Sequence, residues 1–117
     1  MEITVTGRHA EISDGLKRYA EEKSSKLERF YDRVHTVEVV FDIDAGKQRC
    51  EIIARADHHM TFVAKETHVD PFASLDAAVR DLERQLTRHK EKHRNRKHQS
   101  PGRGEQEPLQ GPPEEEP

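Results

Sequence analysis

Val37-Glu38-Val39-Val40-Phe41-Asp42-Ile43 alternates apolar and polar side chains almost without a break. That period of two is the mark of a strand with one face buried and the other wet. Val37, Val39, Phe41 and Ile43 share the inner face; Glu38, Val40 and Asp42 point the other way. Downstream, Ala45-Gly46-Lys47 supplies a turn, and Cys50 to Ala56 reads as a further strand with Ile52, Ala54 and Ala56 on one side. Asp57-His58-His59 is the next turn, and Thr61 to Thr67 the strand that follows it. Upstream, the period changes. From Ser13, a good helix N-cap, Leu16, Ala20, Leu27, Phe30 and Tyr31 recur at three- and four-residue spacing, which predicts a helix of about five turns to roughly Arg33. Ahead of it, Ile3-Thr4-Val5-Thr6 makes a short first strand ending at Gly7.

The last element opens at Asp70-Pro71, an N-cap residue followed by proline at the first helical position. Phe72, Leu75, Ala78, Val79, Leu82 and Leu86 continue it as one apolar stripe. Beyond Leu86 the pattern is wholly polar, yet no glycine or proline intervenes before Pro101, so the helix is expected to overrun its core. The order β-α-β-β-β-α predicts an α+β fold: a four-stranded mixed sheet with two roughly parallel helices on one face, as in double-stranded RNA-binding domains. Strands one and two pair in parallel through a right-handed crossover, and the hairpin-linked strands pair antiparallel. Residues 1–97 form the domain. Residues 98–117, rich in proline, glycine and glutamate, are expected to be a disordered acidic tail.

Composition narrows the function classes. With 32% hydrophobic and 37% charged residues in 117, the core must be thin. No stretch approaches the roughly 20 apolar residues that cross a bilayer, and the N-terminus lacks a signal-peptide pattern, so a cytoplasmic location is expected. Cys50 is the single cysteine, which excludes an internal disulfide and a multi-thiolate metal site. His89 and His93 stand four apart on a helix, a chelating spacing, but among cations and without a third ligand nearby; no metal is expected. His58 and His59 are adjacent and need outside ligands. Asp42 and Asp44 read as a solvated strand end, and no nucleophile triad or phosphate loop appears. Neither catalysis, a cofactor nor a small-molecule substrate is expected.

Charge, by contrast, is strongly segregated. The net charge of −3 averages a tail over residues 98–117 with one basic and five acidic residues against residues 80–97, with eight basic and three acidic. A polyanion feels the segment and not the average. On a helical wheel Arg80, Arg84 and Arg88 form a ridge off the apolar stripe, followed by Lys90, Lys92, Arg94, Arg96 and Lys97 on all sides. On the first helix Arg18, Lys26, Arg29 and Arg33 share a flank, while Lys23 emerges at the stripe's edge. Two parallel helices with such flanks make a groove suited to an RNA backbone, since arginine's planar fork meets two phosphate oxygens together. The plainer alternative is a solvated face laced with intrahelical pairs such as Asp81–Arg84.

Several stretches resemble one family in order and spacing: Ile3-Thr-Val-Thr-Gly-Arg-His9, Leu16-Lys-Arg-Tyr-Ala-Glu-Glu-Lys23, Lys26-Leu-Glu-Arg29, Asp76, and Arg84-Gln-Leu-Thr-Arg-His-Lys-Glu-Lys92. The family is that of the bacterial ribosome hibernation-promoting factors, also called ribosome-associated inhibitors or sigma-54 modulation proteins, and the resemblance covers about residues 1–95. It implies a short, single-domain factor, monomeric when free, that binds the small ribosomal subunit under stress or in stationary phase. There it occupies the channel of messenger RNA and of A- and P-site transfer RNA, blocking translation and preserving idle ribosomes. By the same resemblance the RNA-contacting cations are Lys17, Lys23, Lys26 and Arg29 of helix one and Arg84, Arg88, Lys90 and Lys92 of helix two. The chain departs from the family pattern at His58-His59, where glycines are common, at the order Arg80-Asp81, and by one extra residue within Thr67-His68-Val69. Two alternatives stay open: a generic binder of structured RNA, and a protein-interaction module that modulates a sigma factor. The tail glutamates Glu114, Glu115 and Glu116 also have the charge to compete with RNA for the basic helix.

Overall fold

The computed structural model describes residues 1–98, with side chains as far as Lys92. The elements are β1 (Glu2–Arg8), α1 (Asp14–Ser25) continued by a 3₁₀ segment (Lys26–Arg29), β2 (Val34–Asp44), β3 (Lys47–Ala56), β4 (Met60–His68) and α2 (Pro71–His98). The sheet order is β1-β2-β3-β4, with β1 parallel to β2 and the other pairs antiparallel. Fold and pairing follow the expected β-α-β-β-β-α scheme. The expected tail lies outside the described residues, apart from His98 at the end of α2.

One face of the sheet carries the core. Val37, Val39 and Phe41 of β2, Cys50, Ile52 and Ala54 of β3, and Phe62 and Ala64 of β4 are buried beneath the helices. From α1 come Leu16 and Ala20, and from the 3₁₀ segment Leu27; from α2 come Leu75, Ala78, Val79, Leu82 and Leu86. Leu75, Leu82 and Leu86 are fully enclosed, each contributing about 1.5–3 kcal/mol of transfer free energy. Phe72, expected in that stripe, lies at its margin, 39% exposed, against the ring of Tyr19. Ile43 continues the inner row of β2 but runs past the helices and is 43% exposed. Val40 faces the opposite way yet is buried, between its cross-strand partners Thr6 and Glu51.

Both helix starts are capped as their sequences suggest. The Leu16 N–H donates to Ser13 Oγ at 3.1 Å, and the Ala73 N–H to Asp70 Oδ2 at 3.0 Å. The end of the first helix differs from expectation. Its α geometry stops at Ser25, whose hydroxyl donates to the Glu22 carbonyl at 2.8 Å, and a 3₁₀ turn follows. Serine back-bonding of this kind weakens the α ladder, and 3₁₀ winding is a common way for a helix to finish. Arg33 therefore leaves the helical flank and pairs with Asp57, Nη1 to Oδ2 at 3.2 Å.

The hairpin ends show what the turn residues do. Asp44 pairs with Lys47, leaving Ala45 and Gly46 as a two-residue turn with φ of 52° and 80°, the mirror-image geometry that matches strand twist. His58 and His59 both take positive φ, 63° and 60°, a conformation unfavourable for residues with a Cβ. Gly7 is needed for space: a Cβ there would stand 2.3 Å from the Ala10 carbonyl oxygen. Among the described residues no helix is long and apolar enough to cross a membrane.

Candidate nucleic-acid interface

The two helices run parallel, because contacts between them advance together along both. Tyr19 meets Phe72 with ring centroids 5.3 Å apart, and its O–H donates to Asp76 Oδ1 at 2.8 Å. One turn on, Lys23 and Lys26 share a cleft with Asp76, Val79, Arg80 and Glu83. Farther along, Phe30 shares a second cleft with Glu83, Arg84, Thr87, Arg88 and Glu91. The two hold about 360 and 390 Å³ and form one groove between the helices. A smaller cleft of about 230 Å³ lies on the far side of α2, between Phe62, Gln85, Arg88, His89 and Lys92.

The groove is held by the Tyr19–Asp76 hydrogen bond. Accepting that bond, Asp76 raises the Tyr19 pKa above its ordinary value of 10.0, with burial and the charges of Asp76 and Glu22 acting the same way. Lys23 is half-buried, its Nζ 5.5 Å from the Tyr19 ring centroid, a cation–π geometry that holds the ammonium at the groove wall. Gln85 anchors the other side of α2 by donating Nε2–H to the Val63 carbonyl of edge strand β4 at 2.9 Å.

The cations expected from the sequence are distributed as follows. Lys23, Lys26 and Arg80 come together in the first cleft, and Arg84 and Arg88 in the second. Arg88 also reaches the third cleft, where it meets Lys92. Lys17, Arg18, Arg29 and Lys90 are exposed on the helix surfaces and line none of the three. Arg94, Arg96 and Lys97 lie on α2, but their side chains fall outside the described residues. Of the helix cations, Arg84 alone is ion-paired among the described residues, to Asp81 at 4.0 Å. An exposed i,i+3 pair of this kind is worth a few tenths of a kcal/mol, about what rearranging it toward a phosphate would cost.

The remaining polar groups have structural partners. Asp42, drawn upward by burial, is held below its ordinary carboxylate value by the Ile43 N–H, His9 and Arg8, which outweigh that burial. Asp57 is held low by hydrogen bonds from Arg33 and His35. Burial pushes the Cys50 thiol up to about 12, which makes it inert. His89 packs edge-on against Tyr31 and Phe62, with centroids 5.0 and 5.3 Å away. The side chain of His93, its expected i+4 partner, lies outside the described residues, and no group of three metal-ligating residues occurs among those described. Sequence reading missed the Tyr19–Asp76 bond and the place of Phe30 in the groove. Period-based signals register a stripe and not the pairing of stripes 57 residues apart.

Known proteins supply an independent comparison. The curated ribosome hibernation promoting factor of Azotobacter vinelandii is 37% identical over 95 residues, covering 79% of this chain and 85% of that one. The factor of the same name from Escherichia coli K12 is 29% identical, covering 79% of this chain and 96% of that one. Among solved structures, the N-terminal domain of Thermus thermophilus Protein Y superposes with a TM-score of 0.68 at 34% identity, covering 76% of this chain and 99% of that one. A ribosomal subunit interface protein from Coxiella burnetii gives 0.69 at 26% identity, over 78% and 99%. Residues 3–94, which take in the four described strands except for Glu2 and both walls of the groove, match the family described as Sigma 54 modulation protein / S30EA ribosomal protein, and the chain belongs to that family.

Proposed function

We propose that this protein is a ribosome hibernation factor. It binds the small ribosomal subunit in the channel of messenger RNA and of A- and P-site transfer RNA, under stress or in stationary phase, and so inhibits translation and preserves idle ribosomes. The observation that carries this reading is the interhelical groove, where five cations from two helices converge beside an overrunning basic helix. Relatives named for ribosome hibernation and for the ribosomal subunit interface support it. In this reading the protein is a cytoplasmic, non-catalytic monomer that acts by occupancy, with the backbone of ribosomal RNA as its partner. Phosphates lie along the groove; Lys17, Arg18, Arg29 and Lys90 add contacts outside it, and Arg94, Arg96 and Lys97 extend the path along α2. Residues 1–97 are the binding unit and 98–117 an acidic appendage.

The test is co-sedimentation with purified small subunits across a salt series. Each phosphate neutralised contributes about −0.7 to −0.9 to the slope of log K against log salt. The combined substitution of Arg84, Arg88, Lys90 and Lys92 by Ala should abolish sedimentation and leave the circular dichroism spectrum unchanged, because all four are exposed. Retained binding, or a flat salt response of the parent protein, would overturn the electrostatic account. Complex formation that survives ribonuclease would favour the sigma-factor reading instead.

A further inference from the structure

The groove changes character along its length. Its first section sets Lys23, Lys26 and Arg80 against Asp76 and Glu83, a net excess of one positive charge, and Asp76 is already engaged by the Tyr19 O–H, a setting for phosphate. Its second section opposes Arg84 and Arg88 with Glu83 and Glu91, so its formal charge cancels, and an aromatic ring enters its wall. Phe30 is half-buried, one side against the core and another on the cleft. A phosphate placed there would meet two carboxylates with no excess of cations to offset them. A neutral, flat heterocycle would meet one aromatic ring and two guanidinium planes, all of which stack on nucleobases. The carboxylates then become assets, since unpaired bases present N–H donors on their edges. At about 390 Å³ the cleft falls at the small end of the range for ligand sites, about 300–1,000 Å³.

We propose that the Phe30 cleft is a subsite for one unpaired RNA base, stacked on Phe30, flanked by Arg84 and Arg88, and bounded at its edge by Glu83 and Glu91. This rests on the reading of the groove as an RNA site and adds to it a contact that does not depend on charge. The backbone lies along the cations of the first section, and one base turns inward where the groove becomes neutral.

The chain has no tryptophan, so Phe30→Trp places a single indole reporter in the cleft. Small subunits should quench its emission. Phe30→Leu keeps the apolar contact with the core but removes the stacking face. It should bind about five- to 150-fold more weakly, the range expected for one base–aromatic stack, with unchanged salt slope and thermal midpoint. Binding within twofold of the parent by Phe30→Leu, or unquenched Phe30→Trp at saturation, would overturn the subsite. A third arm separates the two readings: titration of Phe30→Trp with single-stranded oligoadenylate. Quenching there, lost on Arg84→Ala, would uphold the base subsite even if the parent failed to bind small subunits. Absence of quenching beside normal subunit binding would count against the subsite alone.

Discussion

Replacing Tyr19 by Phe removes one oxygen from the protein, and that oxygen joins the two walls of the groove. The phenol donates to Asp76 Oδ1 at 2.8 Å, a short bond to a charged acceptor in a half-buried position. Neutral hydrogen bonds contribute about 0.5–1.5 kcal/mol net, and those to charged groups about 1.5–3. Partial exposure lets Asp76 recover water, so a loss of about 1–2 kcal/mol is expected. For a domain of this size each kcal/mol lowers the thermal midpoint by roughly 4–8 °C. Asp76→Ala should cost a similar amount, and the double variant little more, giving a coupling of about 1–2 kcal/mol in a double-mutant cycle. The same bond predicts an alkaline signature. Because the folded pKa of Tyr19 is raised, its stabilisation is complete below the unfolded value near 10 and is lost as pH rises through the folded value. Tyr19→Phe should abolish that part of the alkaline loss. With two tyrosines and no tryptophan, the difference between parent and variant phenolate absorbance titrations reports Tyr19 alone. A coupling below about 0.3 kcal/mol, inside ordinary additivity error, with a Tyr19 midpoint at its ordinary 10.0, would refute the clasp.

Two further outcomes bear on the frame that carries the groove. Gly7→Ala should destabilise by about 1–3 kcal/mol in urea unfolding, as overpacking does, because the new methyl would stand 2.3 Å from the Ala10 carbonyl oxygen and 3.0 Å from Ile12 Cγ1; an unchanged midpoint would mean that the loop gives way freely. Asp57 is held below its ordinary carboxylate value of 3.8 by Arg33 and His35, so its stabilisation is present above the unfolded pKa and is lost as pH falls through the folded one. Asp57→Asn should therefore flatten the fall in thermal midpoint as pH drops below the ordinary carboxylate value of 3.8, and an identical acid profile would contradict the pairing.

How far the molecule was legible in its sequence depended on the range of the interaction. Alternation at Val37, Val39 and Phe41 and the stripe from Leu75 to Leu86 located β2 and α2, because both face one core directly. Ser13 and Asp70 marked the helix starts, since capping is local chemistry. The cations off the stripes were legible as exposed ridges, and the structure brings five of them into one groove. What escaped needed a partner distant in sequence. β1 extends to Arg8 because the parallel register carries pairing on to Asp42, through a glycine that alone would read as a stop. The α-to-3₁₀ change at Ser25 depends on a serine back-bond that a fixed 100° wheel does not contain. Phe30 looked like one more core residue, and only the packing of α2 beside it turns its outer side into the wall of a cleft.

Competition on isolated small ribosomal subunits tests the central claim most directly. With transfer RNA bound at the P site, titrating in the protein should release it stoichiometrically. Raising transfer RNA should shift the protein's apparent affinity in proportion, and the variant lacking Arg84, Arg88, Lys90 and Lys92 should displace none. Simultaneous, independent binding of protein and transfer RNA to the same subunit would contradict it.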